Sequence, residues 1–123
     1  MSQKKTILVV DDSESIREVV GFELERNGYK VVKAEDGKEA LEKITKSRID
    51  LLLTDLHMPV MNGLELIRKV RKIDNLKHLP ILFLTTETQQ AILIEAKRSG
   101  ATGWITKPFN SEKLMKTIQK VIR

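Results

Sequence analysis

The sequence predicts an α/β fold built on a doubly wound parallel sheet. Short apolar runs alternate five times with segments of helical periodicity, and the connections between these segments are short. Runs that are apolar throughout are typical of parallel strands covered by helices on both faces. With 123 residues, of which 41% are hydrophobic, the chain suits one core. We therefore expect a single domain over residues 1–123, without an appended output domain.

Five apolar runs, each bounded by polar turns, are the predicted strands. They lie at residues 7–10, 31–32, 51–53, 81–84 and, more weakly, 104–105. The segments between and after them repeat apolar residues at the i, i+3 and i+4 spacing of helices. Start and stop signals bound these segments. The first helix has a capping box at Ser15 and Glu18 and a stop at Asn27–Gly28. The second, third and fifth helices have start signals at Asp36, Asn62–Gly63 and Ser111, and the fourth has a stop signal at Ser99–Gly100.

Composition excludes several classes of protein. The chain has no cysteine, which excludes disulfide scaffolds, thiol nucleophiles and cysteine-ligated zinc or iron–sulfur sites. No apolar run approaches the roughly 18 residues needed to cross a bilayer, and no signal-like segment opens the chain. The glycine-rich motifs of dinucleotide-binding and P-loop proteins are absent. We therefore expect a cytoplasmic protein without a membrane partner, whose sheet binds another kind of ligand.

The net charge of +5 is unevenly distributed along the chain. Residues 1–62 carry 10 Lys and Arg against 12 Asp and Glu, a balance of −2, whereas residues 63–123 carry 12 against 5, a balance of +7. The basic residues are mostly spaced along predicted helix faces, and aromatic residues that stack on bases are few. We therefore predict that the chain has no nucleic-acid partner.

Polar residues follow the predicted strands at the edge where parallel sheets bind ligands. In chain order these residues are Asp11 and Asp12, Asp55, Thr85 and Thr86, and Lys107 and Pro108. If the first and third strands are neighbours, three carboxylates meet in one pocket. Two ionised carboxylates about 4 Å apart repel by roughly 4 kcal/mol at an effective dielectric constant of about 20. Three ionised carboxylates therefore need a cation or a raised pKa. A divalent metal is the simplest answer, and an all-oxygen ligand set favours Mg²⁺.

Such a site suits phosphoryl transfer. The metal and Lys107 would neutralise the phosphoryl oxygens while an aspartate attacks, and Thr85 would hydrogen-bond the transferred group. Each residue alone has a simpler interpretation, because a single Asp is often a helix cap, Lys-Pro is often a turn and two threonines can begin a helix. All of them together, at the ends of separate strands, favour the site.

Four segments carry a resemblance to a known family. They are residues 7–13 (ILVVDDS), 53–63 (LTDLHMPVMNG), 84–87 (LTTE) and 100–109 (GATGWITKPF). Together they resemble the receiver domain of two-component response regulators, and within it the single-domain CheY-like chemotaxis type. The resemblance implies a (βα)5 flavodoxin/CheY-like fold with strand order 2-1-3-4-5.

The resemblance also implies a phosphorylation site. Asp55 would be the phosphoacceptor, and Mg²⁺ would be bound by Asp12, by Asp55 and by the backbone carbonyl of His57, with Asp11 acting through water. Lys107 would bind the phosphoryl oxygens.

Further roles concern the response to phosphorylation. Thr85, which is followed by Thr86, would move toward the phosphate as a switch. This movement is coupled in the family to an aromatic residue, here Trp104, where Tyr or Phe is usual. The side chains of His57 and Glu87 would overhang the phosphoryl group and tune dephosphorylation. The peptide bond between Lys107 and Pro108 would be cis.

The implied function is a monomeric phosphorylation switch. A histidine kinase would be the phosphodonor, and a downstream protein such as a flagellar motor switch protein would be the target. One alternative is an intermediate carrier in a phosphorelay. Another is a Mg²⁺-dependent phosphohydrolase acting through an aspartyl phosphate, although Asp55-Leu56-His57 lacks the second acid usual in haloacid-dehalogenase-type phosphatases. The switch interpretation predicts self-phosphorylation and autodephosphorylation, but no turnover of external substrates.

A docking surface for the target is expected around the fourth helix. Ala91, Ile92 and Ala96 supply a core-facing stripe, so one or both of Leu93 and Ile94 should lie at the surface. We expect the surface to consist of Leu93, Lys97, Trp104 and Lys116. Its charge suits an acidic amphipathic partner whose binding increases on phosphorylation and weakens with salt.

Overall fold

The computed structural model describes residues 4–122, which form a five-stranded parallel sheet with helices on both faces. The strands are β1 (Thr6–Val10), β2 (Lys30–Ala34), β3 (Leu51–Thr54), β4 (Ile81–Thr85) and β5 (Gly103–Thr106). The helices are α1 (Glu14–Arg26), α2 (Gly37–Lys46), α3 (Gly63–Arg71), α4 (Gln90–Arg98) and α5 (Ser111–Val121), with a 3₁₀ turn at Asp74–Leu76. The strand order is β2-β1-β3-β4-β5 and all neighbouring pairs are parallel, so the predicted fold class and order are confirmed. The ends of the expected domain, residues 1–3 and 123, lie outside the described residues.

Apolar side chains pack on both faces of the sheet. Alternate residues of each strand point to opposite faces. Leu8 and Leu52 belong to the layer packed against α2 and α3, whereas Ile7, Leu51 and Leu53 belong to the layer packed against α1 and α5. Complete burial of a side chain of this size stabilises the folded state by about 1.5–3 kcal/mol. Two-sided burial therefore explains why the strands are apolar throughout. None of the helices within residues 4–122 is long and apolar enough to cross a membrane.

Four helices begin with a residue of extended backbone whose side chain accepts a hydrogen bond from the first helical turn. These residues are Ser13, Asp36, Asn62 and Asn110. The capping box predicted at Ser15 is wrong, because Ser13 Oγ accepts from Ile16 N at 3.3 Å and Ser15 already lies inside α1. The fifth helix is capped one residue before Ser111, since only a residue outside the helix has the extended backbone that a cap requires.

The buried face of α4 also differs from the prediction. Leu93 is only 5% exposed and is buried together with Ala96, whereas Ala91 is exposed and Ile94 is 49% exposed. The predicted exposure of Leu93 and the predicted burial of Ala91 are therefore wrong. Residues 91–94 are all apolar, so their spacing fits more than one helical phase. Packing selects the phase that buries the larger Leu93.

The start of α3 packs closely against the segment that follows β3. Gly63 N donates to Leu56 O at 2.9 Å. A Cβ atom at position 63 would lie 2.5 Å from Asp55 O and 2.6 Å from a ring carbon of Phe83, which is too close for any side chain. Glycine therefore permits the approach that holds the segment carrying Asp55 against α3.

Candidate functional site

Three carboxylates meet at the carboxyl edge of the sheet. β1 and β3 are neighbours with Val10 paired to Thr54, so the residues that follow them, Asp11 and Asp55, lie side by side. The backbone supports this placement, since Asp55 N donates to Val10 O at 2.9 Å. One carboxylate oxygen from each of Asp11, Asp12 and Asp55 lies within 4.8 Å of the other two. The structure therefore brings together the three acids that the sequence places after two different strands.

Lys107 reaches this cluster from the end of β5. Its backbone N donates to Thr85 O at 2.8 Å, which fixes the residue beside the end of β4. Its ammonium Nζ lies 2.8 Å from Asp11 Oδ2 and 3.5 Å from Asp55 Oδ2. The peptide bond to Pro108 is cis. Lys107 therefore pairs with two of the three carboxylates, one that follows β1 and one that follows β3.

The environment of Asp55 disfavours its ionised form. Burial raises the pKa of Asp55, and the negative charge of Asp11 raises it further. The Lys107 ammonium and the backbone N–H groups of His57 and Leu56 act in the opposite direction on the same pKa. These N–H groups donate to Oδ1, at 2.7 Å from Leu56 and 3.4 Å from His57, which leaves Oδ2 facing Lys107. The net effect is a carboxylate that gains from any additional cation.

The donor set suits a hard divalent cation. It consists of oxygen atoms, it contains no sulfur or imidazole ligand, and its three carboxylates carry more negative charge than Lys107 neutralises. The carboxylate of Asp12 is exposed and has no hydrogen-bond or ion-pair partner within residues 4–122. Oxygen ligands with room for water are the preference of Mg²⁺. The acidic cluster is therefore compatible with a magnesium site.

A second group of residues lies at the mouth of the cluster. Thr85 is buried, and its Oγ1 accepts a hydrogen bond from Glu87 N at 3.0 Å. Thr86 is exposed and lines a groove of about 700 Å³ with Lys107. His57 Nε2 lies 2.7 Å from Glu87 Oε1, so the two side chains predicted to overhang the site contact each other. This contact joins the loop after β3 to the loop after β4.

Glu87 also contacts the start of α4. Its Oε2 accepts hydrogen bonds from Thr88 N at 3.2 Å and Gln89 N at 2.9 Å. The bond from Gln89 N, followed by the bond from His57, lowers the pKa of Glu87. The carboxylate of Glu87 therefore connects His57, in the loop after β3, with the start of α4.

The residues predicted for target docking lie away from the carboxylates. Trp104 lies on the edge strand β5, where it is paired in register with Phe83 of β4. Trp104 is 36% exposed. Lys97 on α4 and Lys116 on α5 are exposed. Leu93 does not belong to this surface, because it lies on the buried face of α4.

The sequence did not single out Arg17, which the structure places next to the acidic cluster. Arg17 Nη1 donates to Asp11 O at 2.6 Å. The position of Arg17 early in a predicted helix was the one feature of the sequence that could have identified it. A basic residue in the first turn of a helix faces the positive end of the helix dipole, which is unfavourable unless a nearby acceptor or negative charge compensates.

Comparison with known proteins identifies the class. A family model described as response regulator receiver domain matches residues 7–119, and the chain belongs to this family. It is similar to "Chemotaxis protein CheY1" of Helicobacter pylori, with 41% identity over 118 residues that cover 94% of this chain and 95% of that protein. It is also similar to the solved structure of Vibrio cholerae chemotaxis protein CheY4, with 48% identity, a TM-score of 0.94 and coverage of 98% and 100% of the two chains.

These similarities place the chain among the chemotaxis-type two-component response regulators, which are signalling proteins and not metabolic enzymes. A further solved structure carries a metal. It is the receiver domain of a Pseudomonas aeruginosa sensor histidine kinase, described with a magnesium ion coordinated in its active site cleft. It is 28% identical to this chain, with a TM-score of 0.89 and coverage of 97% and 98%.

The raised pKa of Asp55 predicts that Asp55→Asn stabilises the metal-free protein in a pH-dependent way. The folded wild type binds a proton at Asp55 more tightly than the unfolded chain does. The stability that Asp55 contributes is therefore present below its unfolded pKa and lost as the pH rises through its folded pKa. Asparagine does not ionise. The variant should therefore exceed the wild type by on the order of 1 kcal/mol at pH 7 in EDTA, and by less near pH 4.

Urea denaturation at both pH values measures this difference. Asp74→Asn is the matched control, because the Asp74 side chain is 99% exposed and its replacement should leave stability unchanged. The free energy of unfolding of Asp55→Asn should exceed that of the wild type by more at pH 7 than near pH 4. An equal difference at both pH values would contradict the conclusion that burial outweighs the Lys107 charge in its effect on the Asp55 pKa.

Proposed function

We propose that the chain accepts a phosphoryl group on Asp55 from a phosphohistidine of a histidine kinase and then binds a downstream protein. The observation that carries this proposal is the position of the Lys107 ammonium between Asp11 and Asp55 at the mouth of a partly open acidic cluster. A partly buried lysine that merely neutralised charge would not require a third carboxylate, Asp12, exposed to solvent beside it. This arrangement suits a site that binds a metal and an incoming phosphoryl group.

The transfer would proceed by displacement at phosphorus. An oxygen of Asp55 forms the new P–O bond while the P–N bond of the phosphodonor breaks, and the leaving imidazole nitrogen takes up a proton. The product is an acyl phosphate on Asp55. Lys107 Nζ, already 3.5 Å from Asp55 Oδ2, would bind a phosphoryl oxygen of this product.

Mg²⁺ is the proposed cofactor. Asp12, Asp55 and the backbone carbonyl of His57 would bind it directly, and Asp11 would act through water. When bound, the ion supplies positive charge that offsets the charge on the phosphoryl oxygens. The all-oxygen donor set supports this assignment, as does the similarity to a receiver domain with magnesium in its active site cleft.

Thr85 is the proposed switch. Its hydroxyl accepts a hydrogen bond from Glu87 N, so its own hydrogen is available to a phosphoryl oxygen. Thr86, exposed beside Lys107, would border the phosphate. Movement of Thr85 would act on β5 through the pairing of Thr85 with Thr106, two residues after Trp104.

The proposed docking surface, corrected for the burial of Leu93, consists of Ile94, Lys97, Trp104 and Lys116. Ile94 and Lys97 are one helical turn apart on α4, and both are exposed. Trp104 lies on the edge strand β5, and Lys116 lies on α5. Two exposed apolar side chains and two cations suit an acidic amphipathic segment whose binding weakens as salt increases.

Phosphorylation provides the direct test of the proposed function. Wild type incubated with Mg²⁺ and radiolabelled acetyl phosphate should incorporate one label that hydroxylamine releases, whereas Asp55→Asn should incorporate none because the nucleophile is gone. Asp74→Asn serves as the control and should be labelled like the wild type. Hydroxylamine-resistant label on Asp55→Asn would contradict the assignment. Repeated turnover of a generic phosphoester would favour the phosphohydrolase alternative instead.

The contact between His57 and Glu87 predicts an effect on the lifetime of the phosphorylated state. The two side chains contact each other, and in the proposed function they would lie over the route by which water reaches the acyl phosphate. His57→Ala and Glu87→Ala should each speed dephosphorylation severalfold, and the double variant should add little, because both changes break one contact. The measurement is the decay of label after the phosphodonor is removed. Thr88→Ala, on the same loop, is the control. Unchanged decay in both single variants would show that this contact does not limit water access.

The coupling of Thr85 to Trp104 predicts a fluorescence signal. Trp104 is the only tryptophan, so beryllofluoride with Mg²⁺, which mimics the acyl phosphate, should change its emission. Asp55→Asn should show no change. Thr85→Val keeps the side-chain volume but loses the hydroxyl, and it should bind beryllofluoride without the emission change. Fluorine NMR confirms occupancy in each case. Unchanged wild-type emission at full occupancy would contradict the coupling.

A further inference from the structure

Arg17 makes a contact that the proposed phosphorylation chemistry does not use. It lies at the end of the first turn of α1, and its side chain extends back toward the start of the helix, as helical side chains do. Its Nη1 donates to Asp11 O at 2.6 Å. This position opposes the preference of the helix dipole, and the hydrogen bond to Asp11 O offsets that cost.

The acceptor of this hydrogen bond belongs to the peptide group that joins Asp11 to Asp12. Both side-chain oxygens of Asp11 are already held, Oδ1 by Ser13 N at 2.9 Å and Oδ2 by Lys107 Nζ at 2.8 Å. The carboxylate of Asp12, by contrast, is exposed and has no partner in the part of the chain that the structure describes. The direction of Asp12 therefore depends on the orientation of its backbone.

We propose that Arg17 is a positioning residue for the metal site. It fixes the plane of the peptide group between Asp11 and Asp12, and thereby directs the Asp12 carboxylate toward Asp55. This inference rests on the proposed function in taking Mg²⁺ as the ion. Partners that orient metal ligands in this way commonly change metal affinity by tenfold or more when they are removed.

The two effects of Arg17 on Mg²⁺ have opposite signs. As a cation near three carboxylates, Arg17 repels Mg²⁺, so its loss would tighten binding if charge alone mattered. As a positioning residue, it favours binding, so its loss weakens binding. The sign of the change in Mg²⁺ affinity therefore separates the two roles.

The test is the Kd for Mg²⁺ of the full chain, measured by isothermal titration calorimetry well below the melting temperature. Arg17→Met removes the charge and the donor at similar length and should raise the Kd about tenfold. Arg17→Lys keeps the charge with a shorter reach and should raise the Kd by a smaller factor. If Arg17→Met does not fold, the Kd of Arg17→Lys decides, and an unchanged value would overturn the proposal.

Two control variants address charge and stability. Arg26→Met removes a cation from the far end of α1 and should leave the Kd unchanged. Arg71→Met removes a guanidinium that donates to Gly100 O and Leu76 O away from the site, so it should lower the melting temperature without changing the Kd. An equal or lower Kd in Arg17→Met overturns the positioning role. Absence of saturable Mg²⁺ binding by the wild type would instead refute the proposed function itself.

Discussion

Repulsion between like charges at the carboxyl edge of the sheet is the constraint to which the rest of the site responds. Asp11, Asp12 and Asp55 with the Lys107 ammonium leave a net charge of −2 from three carboxylates and one cation. Each ionised pair about 4 Å apart repels by about 4 kcal/mol at an effective dielectric constant of about 20. Lys107 and the raised pKa of Asp55 both reduce this energy, and neither removes it. The apolar layers on both faces hold the strand ends in place against the repulsion, and the remaining negative charge is available to attract a cation.

Much of the architecture was predictable because its causes are local or periodic. Apolar runs predict two-sided strands, and in a parallel sheet all carboxyl ends lie at one edge. That rule alone brings Asp11, Asp55 and Lys107 to the same edge, and the motifs around them define the family. The strand order required the resemblance, because apolar periodicity does not specify which strands are neighbours.

The parts that were not predictable depend on packing or on contacts across loops. Leu93 lies in a fully apolar stretch, so its burial is decided by the shape of the core and not by spacing. Ser13 and Ser15 are both acceptable caps by residue type, and only the backbone conformation selects Ser13. The contact between His57 and Glu87 joins residues 30 positions apart, and no local rule gives the distance between their side chains.

Glu87 has a consequence for how the molecule opens locally. Among residues 4–122, the N-cap residue of α4 makes no side-chain capping bond, and two N–H groups just before the helix are satisfied by Glu87 instead. The same carboxylate contacts His57, which lies two residues after Asp55. Anything that draws Glu87 toward the cluster leaves those N–H groups to water and lowers the free energy for unfolding the first turn of α4. If occupancy of the site displaces Glu87, local unfolding of that turn is thermodynamically linked to occupancy through this one side chain, and hydrogen exchange at these amides follows both.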